Sequence, residues 1–225
     1  MKVHNLLLIM CALMLLSAPT WADILSPKTK RGAKLKLPAP QLTSDVSLEA
    51  ALASRRSVRA FTAEQLTLAE IAQICWAAQG VTREKWGFRT APSAGALYPL
   101  ELYLLMPEGV FHYIPEEHVL QVMVLEDKRG ELGDAALGQN AVYAGVCTFV
   151  ITGVVARTEA KYGDRARRYV HIETGHAAQN ILLQAAALGL GAVPIGAFND
   201  ERVAEVLELP RGFEPVYIIP TGHAR

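Results

Sequence analysis

Leu102-Tyr103-Leu104-Leu105-Met106-Pro107-Glu108-Gly109-Val110-Phe111-His112-Tyr113-Ile114-Pro115-Glu116-Glu117-His118-Val119-Leu120-Gln121-Val122-Met123-Val124-Leu125 decides the architecture. Apolar runs at Leu102–Met106, Val110–Ile114 and Val119–Leu125 are parted by Pro-Glu-Gly and Pro-Glu-Glu, which turn the chain and cannot continue a ladder. Such runs read as successive strands. Upstream, Thr67 and Glu70 form a capping box. Leu68, Ile71, Ile74 and Cys75 follow at helical spacing, and Gly80 closes that helix. Ser47 caps a shorter helix through Leu48, Ala51 and Leu52 into Arg55-Arg56. Downstream, a helix is predicted from about Asp127 to Leu137, and Val146–Val155 suits a central strand. A long helix over Arg165–Leu188 ends at Gly189 and Gly191. A strand Gly191–Ile195, a helix near Asn199–Leu207 and a strand Val216–Pro220 complete the pattern. The expectation is an α+β fold, a mixed central β-sheet flanked by helices, formed as one domain by residues 47–225 with no internal repeat.

Composition narrows the function. The chain has 225 residues, 51% of them hydrophobic, with 22 basic against 22 acidic side chains. That content excludes a disordered polymer, and the balanced charge argues against a nucleic-acid partner, which requires a basic face. Residues 1–22 have the three parts of an export signal: Lys2 and His4, the apolar run Leu6–Leu16, and a polar segment ending Thr20-Trp21-Ala22. The run is shorter than a bilayer-spanning helix and nothing later approaches one, so no membrane span is expected after cleavage. Bulky Ile9-Met10 before Cys11 disfavours a lipoprotein signal. Residues 23–46, rich in Lys and Pro near their start, read as an extended leader. The expected location is outside the cytoplasm, in the periplasm. An oxidising compartment permits a disulfide between Cys75 and Cys147, but both sit in apolar runs, and buried free thiols are the expectation. No metal-ligand spacing is present.

Three segments carry candidate chemistry. Arg55-Arg56-Ser57-Val58-Arg59 places three guanidiniums and a hydroxyl within five residues, a set matched to a phosphate; the bland alternative is a solvated helix end. In Ala91-Pro92-Ser93-Ala94-Gly95-Ala96-Leu97-Tyr98-Pro99, prolines bracket small residues that let backbone approach something flat, or else form a tight surface loop. Gly189–Phe198 lacks the dinucleotide-binding spacing and reads as a strand kept bare of large side chains.

Together these segments resemble the FMN-dependent nitroreductase-like family over nearly all of Ser47–His223, and within it the SagB-type dehydrogenases, which oxidise azolines in peptides. The resemblance implies the nitroreductase-like FMN fold. It implies FMN bound by Arg55, Arg56, Ser57 and Arg59 at the phosphate. Pro92, Ser93, Ala94, Gly95, Ala96 and Leu97 would lie along the flavin from a partner subunit, and Pro194, Ile195, Gly196 and Ala197 would present backbone to the ring. Gln139 is expected to reach the flavin. Arg225, close to where family members carry basic tail residues, is a phosphate candidate. Lys161-Tyr162-Gly163-Asp164-Arg165-Ala166-Arg167-Arg168-Tyr169 and Glu173-Thr174-Gly175-His176-Ala177-Ala178-Gln179-Asn180 are similar to the dehydrogenases' KYGxRxxRY and ExGHxxQN. The resemblance makes Lys161 and Tyr162 the catalytic pair, removing a substrate proton as hydride reaches flavin N5. A solvated lysine and an interface tyrosine are the alternative. A homodimer with FMN at its interface is expected, because a flavin needs walls on both faces. The substrate would be a small molecule or a peptide azoline. Export separates the protein from nicotinamide pools and favours a dehydrogenase or oxidase over an NAD(P)H-dependent nitro or quinone reductase. A flavin-binding protein without turnover is the non-enzymatic alternative.

Overall fold

The computed structural model describes Trp21 and residues 25–225; the rest of the expected signal, its cleavage point included, lies outside them. In chain order the elements are β1 (Lys34–Lys36), α1 (Leu48–Ser54), α2 (Leu68–Gln79), β2 (Val81–Arg83), β3 (Phe88–Arg89), β4 (Leu100–Met106), β5 (Gly109–Ile114), β6 (Val119–Val124), α3 (Arg129–Ala135), α4 (Asn140–Ala144), β7 (Cys147–Gly153), α5 (Val155–Tyr162), α6 (Ala166–Ala187), β8 (Gly191–Ala192), α7 (Asp200–Val206) and β9 (Glu214–Gly222). Seven strands form one sheet in the order β1-β6-β5-β4-β7-β9-β8. Its named strands pair antiparallel, and a parallel bridge from Ser57 to Ala192 adds the Arg55–Arg59 segment at the β8 edge.

The proline-broken stretch folds as a β4-β5-β6 meander, with Leu104 opposite Phe111 and Tyr113 opposite Leu120. Both sheet faces are covered, which explains why β4 reads as unbroken apolar sequence. Leu102, Leu104 and Met106 face α2 and α6 in one core. Tyr103 and Leu105 join residues of α3, α4 and α7 in the other. The capping box forms as read: Thr67 Oγ1 accepts from the Glu70 amide, and a Glu70 carboxylate oxygen accepts from the Thr67 amide. Cys75 and Cys147 are free, buried thiols, and burial pushes both well above the ordinary thiol value.

Four departures have tertiary causes. Part of the leader becomes the edge strand β1, held by β6 and by burial of Leu35 and Leu37. The expected Asp127–Leu137 helix forms as the shorter α3: it stops at Ala135, positive φ at Leu137 and Gly138 reverses the chain, and a further helix that was not expected, α4, follows. The β7 run ends at Gly153, and the residues after it enter α5, which carries Lys161 and Tyr162. A β2–β3 hairpin forms where no element was expected. At the N-terminal end, Trp21 is only 8% exposed. Its ring lies 5.9 Å from Phe111 and its indole N–H donates to the Leu66 carbonyl.

Candidate active site

The phosphate-suited segment follows α1, whose Ser47 cap accepts from the Ala50 amide. The Val58 amide donates to the Ala192 carbonyl, pinning the segment beside β8. A Cβ on Gly191 would stand 2.6 Å from Val58 Cγ1, so only glycine lets these backbones meet. Among the described residues, none of Arg55, Arg56 and Arg59 has a carboxylate partner. Arg56 is nevertheless partly committed: its Nη1 donates to the carbonyls of Ala53 and Arg55 at the end of α1. Arg59 reaches a cleft of about 670 Å³, lined also by Gln139, Asn140, Val193 and Pro194–Ala197. Gln139 donates from Nε2 to the carbonyls of Ala136 and Ala197, tying the α3–α4 turn to the bare Pro194–Ala197 backbone. It shapes the cleft wall as well as lining it. Arg225 lines a neighbouring cleft with Phe61, Arg129 and Tyr143, though its backbone amide bonds the Ala60 carbonyl.

A second cluster forms where the segment before β4 crosses α5 and α6. Gly95 (φ +64°), Ala96 (φ +54°) and Tyr98 (φ +46°) adopt left-handed backbone. An ideal Cβ on Gly95 would lie 2.8 Å from Lys161 Nζ and 2.9 Å from the Tyr162 hydroxyl. Side chains predicted to act together therefore do converge, over the one residue here without a Cβ. Tyr162 packs edge-on against Tyr169 at 5.0 Å. Ser93 Oγ accepts from the Tyr98 amide, and the Tyr98 phenol oxygen from the Arg89 amide. Glu173 accepts from the Ala94 amide at 2.9 Å. Sequence reasoning placed Glu173 in a motif without giving it a role, since its partner lies 79 residues away.

The first cleft contains none of Pro92–Leu97, Lys161 or Tyr162. Arg59, Gln139 and Pro194–Ala197 form one half of the predicted site; the Gly95 turn with Lys161 and Tyr162 forms the other. The first half packs beside the core of α3, α4 and α7, and the second beside α6 on the opposite sheet face.

This fold is that of an oxidoreductase family: the nitroreductase family profile matches residues 52–223, and the chain belongs to that family. A nitroreductase-named protein of Methanocaldococcus jannaschii is 42% identical over 198 residues, covering 85% of this chain and 98% of that one. The trifolitoxin operon protein TfxC of Rhizobium leguminosarum is 27% identical over 88% of this chain, which spans 61% of TfxC. A solved nitroreductase-named structure from Ralstonia eutropha has a TM-score of 0.77 at 30% identity, covering 85% of this chain and 90% of that one.

Proposed function

We propose that the protein is an FMN-dependent dehydrogenase of the SagB type, exported, working as a homodimer with one half-site from each subunit completing each flavin pocket. The observation that carries this reading is the convergence of Lys161 Nζ and the Tyr162 hydroxyl over Gly95. The residues fit FMN. Arg59, which has no carboxylate partner among the described residues, borders a cleft that Pro194–Ala197 also line. Guanidinium forks suit a phosphate, and bare backbone suits a flat ring.

When bound, FMN supplies a hydride acceptor at N5. The protein's share is placement and proton handling. Arg59 and the Ser57 hydroxyl hold the anionic end, with Arg55 and Arg56 adding positive charge. Gln139 keeps the Ala197 segment against α3. Lys161, its amine set over the Gly95 turn, is placed to take a substrate proton, and the adjacent Tyr162 hydroxyl to donate or relay one. Two halves on opposite sheet faces support a reading in which a second copy closes the pocket. Exposed Leu48, Leu52, Trp86 and Phe88 offer apolar surface for it.

The substrate class follows from the subtype: a small molecule or peptide bearing an azoline ring. TfxC, named for a toxin operon, is a relative consistent with that choice. The test is a purified protein that is yellow, dimeric on gel filtration and bleached anaerobically by azoline-bearing peptides. Lys161→Ala should keep FMN and lose turnover; unchanged turnover removes Lys161 from the mechanism. The second reading is a nicotinamide-driven nitroreductase, favoured by the name of the 42%-identical relative. Rapid bleaching by NADPH alone would establish it in place of the first.

A further inference from the structure

Glu173 is 5% exposed, on the inward face of α6, and its Oε1 takes the Ala94 amide at 2.9 Å. Left-handed backbone at a residue with a Cβ costs about 1–3 kcal/mol and persists only where surroundings dictate it. The turn from Ser93 to Tyr98 has two such residues, Ala96 and Tyr98, besides Gly95. Six hydrogen bonds hold the shape: two within its backbone, Ala96 amide to the Ser93 carbonyl and Leu97 amide to the Ala94 carbonyl, together with Ala94 amide to Glu173, Tyr98 amide to Ser93 Oγ, Arg89 amide to the Tyr98 phenol oxygen, and Arg157 Nη1 to the Tyr98 carbonyl. Of these, only the Glu173 bond acts at the N-terminal side of Gly95 from outside the turn. Lys161 Nζ and the Tyr162 hydroxyl rest on the surface that this bond holds still.

We propose that Glu173 is a positioning residue: by holding the Ala94 amide it fixes the Ser93–Leu97 turn, and through it the places of Lys161 Nζ and the Tyr162 hydroxyl. The inference rests on the reading of Lys161 and Tyr162 as the catalytic pair. What Glu173 supplies is an acceptor oxygen at a fixed point. Burial pushes its carboxyl up from the ordinary value, while the Ala94 amide, the Ser93 hydroxyl and the charge of His176 draw it part of the way back. A glutamine carbonyl offers the same acceptor without the charge, so Glu173→Gln keeps the device. Glu173→Ala removes it, and Glu173→Asp withdraws the oxygen by one methylene.

The test uses the full chain with FMN and two readouts. Hydrogen exchange over residues 91–98 should accelerate about tenfold in Glu173→Ala and Glu173→Asp, the loss of one hydrogen bond, and stay at the wild-type rate in Glu173→Gln. Turnover should fall about tenfold to a hundredfold in the first two variants, with flavin absorbance unchanged and Glu173→Gln restoring it. With Lys161→Ala and Tyr162→Phe both in place, Glu173→Ala should add no further loss, because it acts through those two groups. Unchanged exchange in the Ala and Asp variants, or an additive loss in that triple mutant, overturns the proposal. If Glu173→Ala does not fold, the Asp and Gln pair decides the matter. Unchanged turnover in Lys161→Ala would instead remove the catalytic reading, and the exchange result would still report on the turn.

Discussion

Replacing Gly95 with alanine separates the stability of the Ser93–Leu97 turn from its use. At φ +64° a Cβ is disfavoured by about 1–2 kcal/mol. For a chain of this size that lowers Tm by roughly 2–8 °C. The new methyl would also stand 2.8 Å from Lys161 Nζ and 2.9 Å from the Tyr162 hydroxyl, against ordinary contact at 3.4–4 Å. Each polar atom must then retreat by about 0.5–1 Å. Both sit at the ends of flexible side chains, so the retreat adds little to the folding cost. Its effect falls on geometry, where a shift of about 1 Å in a reacting group can cost on the order of a hundredfold in rate. Gly95→Ala should therefore fold, keep its flavin absorbance and melt a few degrees early, yet lose turnover about a hundredfold. Calorimetry and stopped-flow bleaching of the bound flavin measure the two effects on one sample. Turnover within about twofold of wild type, together with the expected Tm loss, would show that the place of Lys161 and Tyr162 does not matter to the reaction.

Three other outcomes follow from the packing. Thr67→Ala breaks the capping box of α2 and should cost about 1 kcal/mol, a Tm drop of roughly 2–4 °C, with flavin content unchanged. Cys75 and Cys147, buried and with thiols held above their ordinary value, should resist alkylation in the native protein and react fully in denaturant; peptide mapping by mass reads both sites. Burial alone would raise the Glu101 carboxyl, but the hydrogen bond with His112 and the charges of Arg157 and His112 outweigh it and hold the group below its ordinary 4.5. Because the folded value is depressed, the stabilisation is present above 4.5 and lost as pH falls through the folded value. Tm should drop on acidification from about pH 6 to pH 3, and Glu101→Gln should flatten that limb.

Local signals were legible wherever a few neighbouring residues settle the structure. The capping box at Thr67 and Glu70, the Pro-Glu turns of the meander and the glycine end of α6 all belong to this kind. Elements that depend on distant partners were not. β1 is three residues long and exists because β6 needs an edge neighbour and the core takes Leu35 and Leu37. The end of β7 at Gly153 follows from α6, since a Cβ there would meet Val170 Cγ1 at 2.5 Å. In the site, motif order singled out Lys161, Tyr162 and Gly95, and the fold brings those three together. It could not show that Gln139 spends its amide on the Ala197 carbonyl, that Arg56 turns back to α1, or that Glu173 reaches Ala94. The first and last are contacts across the fold with no trace in local spacing, and the Arg56 bonds are local but depend on how α1 ends.

The indole of Trp21 is a buried part of the fold that lies within the segment expected to be an export signal. The ring fills space beside Phe111 and hangs a hydrogen bond on Leu66. A peptidase that severed the chain after Ala22 would carry this wedge away with the signal segment. Losing a buried aromatic of that size costs about 3–5 kcal/mol, a large share of the total that holds a domain together. A cut behind this one tryptophan would therefore leave a looser fold than a cut ahead of it.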